Sequence, residues 1–126
     1  MALSLQVQLF GRKDSRDTQK ALRFFSERRV PISFVDIARK PPARGELKRF
    51  SDRFGAVALI DPDSRAYADQ GLRYMQLDEA SAFTRICDEP RLLRLPLVRA
   101  GNSLSVGLAE AEWRAWLART DEPPTS

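Results

Sequence analysis

Apolar and polar positions along the chain follow two periods, and each period predicts one kind of element. Two-residue alternation, typical of half-buried strands, occurs over residues 6–10 and again over residues 31–37. Between these segments, Ala21, Leu22 and Phe25 follow a helical spacing, which predicts an amphipathic helix over residues 17–29. The beginning of the chain therefore predicts a β-α-β unit whose two strands are parallel.

Helical patterns dominate the middle of the chain. Lys40-Pro41-Pro42 interrupts the backbone, and helices are then predicted over residues 44–54, 64–69 and 78–89. The predicted buried positions are Leu47, Phe50 and Phe54 in the first of these helices, and Ala80, Phe83, Ile86 and Cys87 in the last.

The end of the chain predicts two more strands and a helix. Residues 95–98 and 103–106 flank a turn at Ala100-Gly101-Asn102, which predicts a hairpin. Trp113, Trp116 and Leu117 mark the packing face of a helix over residues 109–118, and residues 120–126 predict a flexible tail. The whole order predicts one α/β domain over residues 1–119, with a mixed four-stranded sheet built as β-α-β, a helical insertion and β-β-α.

Composition and charge narrow the classes of function. The 126 residues are 43% apolar, as expected for a single soluble domain. No apolar run approaches the roughly 20 residues that span a bilayer, and the first residues lack the features of a signal peptide, so we expect a cytoplasmic protein. The net charge of +4 comes from arginines scattered among acidic residues without a dense block, a pattern typical of a solvated mixed-charge surface and not of a nucleic-acid site. An arginine-rich surface of this kind could still meet an acidic protein partner.

The residues most often used in catalysis are scarce. The chain has no histidine, which removes the usual general base and metal ligand, and its single cysteine, Cys87, excludes an internal disulfide or redox pair. We therefore predict no metal site and no cofactor. Cys87 lies four residues after Phe83 on the apolar face of a predicted helix, which predicts a buried and inert thiol.

The turn GRKDSRDTQKA, residues 11–21, joins the first predicted strand to the first helix and is the candidate site. Such junctions are where many α/β proteins place their chemistry. Ser15, flanked by aspartates, is typical of a helix N-cap. Alternatively, Arg12, Lys13 and Arg16 could bind an anion with the help of free backbone N–H groups and the helix dipole.

Beyond this turn, three segments resemble the arsenate reductase (ArsC) family, which also contains the Spx transcription regulators. They are PPARGEL at residues 41–47, ALIDPDSRAYADQGL at 58–72 and DEPRLLRLPLV at 88–98, in the family's order. The resemblance covers nearly the whole chain. It implies a thioredoxin-like fold in which Pro96 follows a cis peptide bond and lies near the Ser15 turn.

The departures from the family concern its chemistry. On this resemblance Ser15 occupies the position of the nucleophilic cysteine, and Thr18 that of the second cysteine of some members. The arginines that hold the oxyanion fall on Asp61, on Leu95 and near Gly107. A serine without a base is a poor nucleophile, and an aspartate would repel an oxyanion by about 1–4 kcal/mol at contact distance.

The function that we predict is protein binding, in a regulatory role, by a family member that has lost thiol redox chemistry. Spx-type relatives bind the C-terminal domain of the RNA polymerase α-subunit, so the resemblance implies that partner. The alternative is an arsenate-reductase-like or glutathione-dependent oxidoreductase with an atypical active site, which works without the usual cysteine or uses Cys87 as its nucleophile. An anion bound at the Ser15 turn would favour this alternative. The candidate binding residues are Arg12, Lys13, Ser15, Arg16, Arg94 and Pro96.

Overall fold

Four strands form one mixed sheet in the computed structural model, which describes residues 5–121, with side chains through residue 119. The strands are β1 (Val7–Gly11), β2 (Ile32–Asp36), β3 (Leu97–Ala100) and β4 (Ser103–Val106). Their order is β2-β1-β3-β4, with β1 parallel to β2, β3 antiparallel to β1, and β4 antiparallel to β3. The predicted mixed four-stranded sheet is therefore confirmed.

Five α-helices surround this sheet in the described part of the chain. They are α1 (Arg16–Glu27), α2 (Arg44–Phe54), α3 (Arg65–Asp69), α4 (Glu79–Asp88) and α5 (Glu110–Asp121). Helix α5 extends into the segment predicted as a tail, and residues 122–126 of that segment lie outside the described residues. No helix among the described residues is long and apolar enough to cross a membrane.

Strand alternation divides the core into two clusters, one on each face of the sheet. Leu9 and Val98 are fully buried with the aromatic side chains of α1 and α5. Phe10 follows Leu9 and Leu97 precedes Val98, so both point to the other face of the sheet. There they pack with the helical insertion, which includes α2 and α4. Both faces of the sheet are thus covered, which leaves its ends and edges for a binding site.

A buried hydrogen bond fixes α5 to the sheet. The indole N–H of Trp113 donates to the hydroxyl of Ser105 in β4 over 2.8 Å, and both residues are buried. The rings of Phe24 and Phe25 in α1 lie 5.3 and 5.0 Å from that of Trp113, so the three aromatic side chains pack as one group.

Predicted core positions in α2 and α4, and one predicted strand, are corrected by the structure. Phe54 is 39% exposed because it is the last residue of α2, beyond Leu47 and Phe50, which pack on the sheet. Ala80 is exposed, since Ala82 and Ile86 form the buried stripe of α4. Phe83 and Cys87 beside that stripe are half-buried rather than buried. Strand β3 begins after Pro96, which has no N–H for the ladder.

Candidate functional site

A cleft of about 740 Å³ lies beyond the carboxyl end of β1, where Ser15 begins helix α1. We call it the Ser15 cleft. Its walls come from the turn at residues 12–17, from residues 61–69 of the insertion, and from residues 91–95, which lead into β3. Three segments far apart in the sequence thus meet at the turn that the sequence predicts as the candidate site.

Ser15 is the N-cap of α1. Its hydroxyl oxygen accepts a hydrogen bond from the backbone N–H of Thr18 at 3.2 Å, and its backbone is extended, as a cap requires. No side chain among the described residues accepts the Ser15 O–H and could serve as its base. The hydroxyl therefore stabilises the helix, and no side chain in the described part of the chain is hydrogen-bonded to it in the way that would activate it as a nucleophile.

Thr18 points away from the cleft into the protein interior. Its side chain is fully buried, and its hydroxyl oxygen has no hydrogen-bond partner among the described residues. A Cβ atom on Gly11 would lie 2.5 Å from the Thr18 methyl carbon, so glycine is required at that position. A side chain at position 18 is thus part of the packing between β1 and α1.

The walls of the Ser15 cleft carry one more negative charge than positive charges. Five aspartates and four arginines contribute to its walls: Asp14, Asp17, Asp61, Asp63 and Asp69, with Arg12, Arg16, Arg65 and Arg91. The carboxylate of Asp61, which the resemblance aligns with a family arginine, accepts the backbone N–H of Asp63 at 2.9 Å. Carboxylates so placed oppose binding of an oxyanion. Among the described residues, no group of three or more side chains is arranged to hold a metal ion.

Most of the cleft's arginines already face a carboxylate. The Nε atom of Arg12 lies 3.2 Å from an Asp14 oxygen, and that of Arg65 lies 3.9 Å from Asp69. Arg16 is exposed and, within the described part of the chain, has no ion-pair partner. An incoming anion would have to compete with these carboxylates for all but one of the cations that it needs.

Arg91, a cleft residue that is not among the candidate binding residues predicted from the sequence, is held by Glu89. Both carboxylate oxygens of Glu89 accept hydrogen bonds from the Arg91 guanidinium at 2.9 Å. These bonds hold the pKa of Glu89 below its usual range, against a smaller opposing effect of burial. Lys13 and Glu89 line a neighbouring cleft of about 630 Å³ that shares Arg12 and Arg91 with the Ser15 cleft. The pattern Glu-Pro-Arg at residues 89–91 was the available signal for this pair.

Arg94 does not reach the Ser15 cleft. The backbone N–H of Asp61 donates to the carbonyl of Leu92 at 2.8 Å, and that of Arg94 donates to the carbonyl of Leu59 at 2.7 Å, so the two segments pair through a β-bridge between Ile60 and Leu93. Because alternate residues of an extended chain face opposite sides, Leu93 lines the cleft and Arg94 points to the opposite side.

Pro96 is buried next to the cleft wall, after a cis Leu95–Pro96 bond that agrees with the prediction. Leu95 itself lines the cleft, and the carbonyl of Pro96 accepts the N–H of Gly107 at 2.9 Å. Gly107 has a φ of +73°, and a Cβ atom there would lie 3.3 Å from Cδ of Arg94. None of the three positions that the resemblance aligns with family arginines therefore supplies a cation to the cleft.

Comparisons with known proteins agree with the architecture. The ArsC family model matches residues 10–116. Global transcriptional regulator Spx 2 of Lactococcus lactis subsp. lactis is 25% identical over 104 residues, covering 81% of this chain and 79% of the relative.

Solved structures of related proteins share the fold. An ArsC family related protein from Bacteroides fragilis superimposes with a TM-score of 0.77 at 18% identity, covering 90% of this chain and 98% of that one. An arsenate reductase from Vibrio cholerae gives 0.74 at 16% identity, covering 87% and 96%. The predicted thioredoxin-like fold is confirmed.

Proposed function

This chain belongs to the ArsC family, and we propose that it is a member without thiol chemistry that acts in the cytoplasm as a regulatory, protein-binding module. The observation that carries the proposal is the composition of the Ser15 cleft. A capping hydroxyl stands at the position that the resemblance assigns to the family nucleophile, and the surrounding walls hold more aspartates than arginines.

The chemical argument has two parts. Nucleophilic catalysis by a hydroxyl needs a neighbouring base, and the described residues around Ser15 offer none in hydrogen-bonding position. Reduction of an oxyanion also needs donors aimed at the charge that develops on it. Arg12, Arg65 and Arg91 instead face carboxylates of the protein itself.

The relatives support a regulatory role. The curated relatives of this chain are described as global transcriptional regulators, and they match it over about four-fifths of its length. By resemblance to Spx-type proteins, we propose the C-terminal domain of the RNA polymerase α-subunit as the partner. The net charge of +4 would help the chain to meet an acidic surface on such a partner.

The test is a calorimetric titration of the full chain with the purified C-terminal domain of the polymerase α-subunit. We expect saturable binding with a Kd on the order of micromolar, and no binding to the N-terminal domain of the same polypeptide, which serves as the control. In parallel, the wild-type chain should show no arsenate reduction with glutathione. Turnover above the uncatalysed rate, without binding to the C-terminal domain, would support the alternative oxidoreductase.

A further inference from the structure

A second concave surface lies behind one wall of the Ser15 cleft, on the other side of the paired segments near residues 60 and 93. Seven apolar or aromatic side chains between Val57 and Leu77 line it together with Arg94. We call this surface the Arg94 groove. Its floor, which includes Ile60 and Leu72, is buried in the core, so the groove is supported by packed residues.

The rim of the Arg94 groove exposes apolar surface to water. Val57 is 43% exposed and Met75 45%, and the adjoining Tyr74 is 84% exposed. These are three of the five large hydrophobic side chains that are exposed in the described part of the chain. Grouped apolar exposure of this kind marks interaction surfaces, and methionine, tyrosine and arginine are enriched in protein interfaces.

Three arginines lie around the groove. Arg94 is exposed and pairs with no carboxylate among the described residues. The Arg85 guanidinium lies 3.7 Å from the Met75 sulfur, and that of Arg73 lies 5.4 Å from the centre of the Tyr74 ring. Within the described chain neither of these two arginines forms an ion pair, so three positive charges stand beside the apolar surface.

One carboxylate, that of Glu79, lies at the end of the groove near Val57, where the three arginines outnumber it. Glu79 accepts hydrogen bonds from the backbone N–H groups of Ala56 and Val57, which holds it against the chain. The groove therefore presents apolar surface with positive charge on its outer side.

We propose that the Arg94 groove docks a segment of a partner protein in which an apolar side chain stands next to carboxylates. This inference rests on the proposed function, because it gives the protein partner a place to bind. The groove volume of about 270 Å³ is below the roughly 300–1,000 Å³ of small-molecule sites. It suits the anchoring side chain of a peptide whose carboxylates then reach Arg94 and its neighbours.

The probe is a short synthetic peptide that alternates leucine with glutamate, titrated into the isotope-labelled full chain and followed by NMR. We expect saturable shifts of the backbone amides of Val57, Met75, Leu77 and Arg94. A matched peptide with lysine in place of glutamate should bind about tenfold more weakly or not at all, because it carries the charge of the rim.

Paired variants test the role of the cation. Arg94→Ala should weaken binding of the glutamate peptide by about three- to tenfold. Arg39→Ala removes the same charge from another exposed arginine, which does not line the groove, and should leave binding unchanged. Since Arg94 is exposed, both variants should keep the wild-type fold, which their NMR spectra will report.

Several results would overturn the proposal. They are an absence of shifts in the groove, shifts that map to the Ser15 cleft, equal binding of the two peptides, or equal loss of affinity in the two variants. Groove shifts that depend on protein concentration without peptide would instead assign the groove to a second copy of the chain.

The two proposals fail separately. If the C-terminal domain of the polymerase α-subunit binds Arg94→Ala as tightly as wild type, the proposed function stands and the groove is not its docking site. If the glutamate peptide binds in the groove but that domain does not bind the chain, the groove stands and the named partner is wrong.

Discussion

Individual residue types predicted some roles in the candidate site and missed others. Ser15 as an N-cap follows from local chemistry, because a hydroxyl before a helix accepts a backbone N–H from the first turn, and the structure confirms it. The side of the chain on which Arg94 lies could not be predicted from its neighbours in the sequence. It depends on pairing between residues near 60 and residues near 93, which decides the side to which each alternate side chain points.

Cys87 gives a prediction at the residue scale. Burial raises the pKa of its thiol, and the positive charge of Arg44 opposes this with a smaller effect. We therefore expect iodoacetamide to label Cys87 slowly in the native protein near neutral pH, and rapidly after denaturation. Arg44→Ala should raise the pKa further and slow native labelling again.

Denatured wild-type chain is the control for Cys87, because the exposed thiol there has its ordinary reactivity. Rapid labelling of the native protein, with a thiolate formed near neutral pH, would contradict the prediction that Cys87 is an unreactive thiol with a raised pKa. It would also return Cys87 to the list of possible nucleophiles, since the chain has no other cysteine.

Elements were predicted better than their contacts. Sequence patterns predict each strand of the described sheet and each of its five α-helices, through the hydrophobic period where an element buries one face and through the turn at residues 100–102 for the hairpin. The buried face itself was less certain in α4, where Ala82 rather than Ala80 packs inward. Small residues such as alanine fit on either side of an amphipathic stripe, so helical spacing alone did not decide between them.

The N-cap of α1 gives a prediction at the element scale. Ser15→Ala removes the acceptor for the Thr18 N–H and should lower the free energy of unfolding by about 0.5–2 kcal/mol in urea titrations. Ser15→Asn should recover most of that loss, since asparagine is also a good N-cap.

The matched control for Ser15 is Ser26→Ala in the same helix. Ser26 is exposed, so its replacement should change stability little. If Ser15→Ala were as stable as wild type, the hydroxyl would have no structural role, and a functional role for Ser15 would gain weight.

At the scale of the whole molecule, the sequence predicted the fold but not the electrostatics of the site. A net charge of +4 gives no hint that the cleft beside Ser15 contains five aspartates against four arginines. That balance arises when the turn, the insertion and the segment before β3 come together. The resemblance identified Asp61 and Leu95 as departures, while Arg91 and its partner Glu89 emerged from the folded structure.

The central claim is that the Ser15 cleft lacks both a nucleophilic thiol and the cations that would hold an oxyanion. Ser15→Cys in a Cys87→Ala background tests this claim, because it restores the thiol alone. The new thiol would stand at a helix N-terminus near Arg12 and Arg16, so its pKa should fall below the free value of about 8.5. Its alkylation near neutral pH should be faster than that of Ser26→Cys in the same background, which places an exposed thiol away from the helix start.

The decisive measurement is arsenate turnover by Ser15→Cys with glutathione. We predict a reactive thiol and no turnover above that of Ser26→Cys, because the oxyanion would meet Asp61 and Leu95 where the family is expected to supply arginine. Efficient turnover by Ser15→Cys alone would contradict the account. It would mean that cations already in the cleft, such as Arg16 or Arg65, form a working anion site, and that the chain is one substitution away from an enzyme.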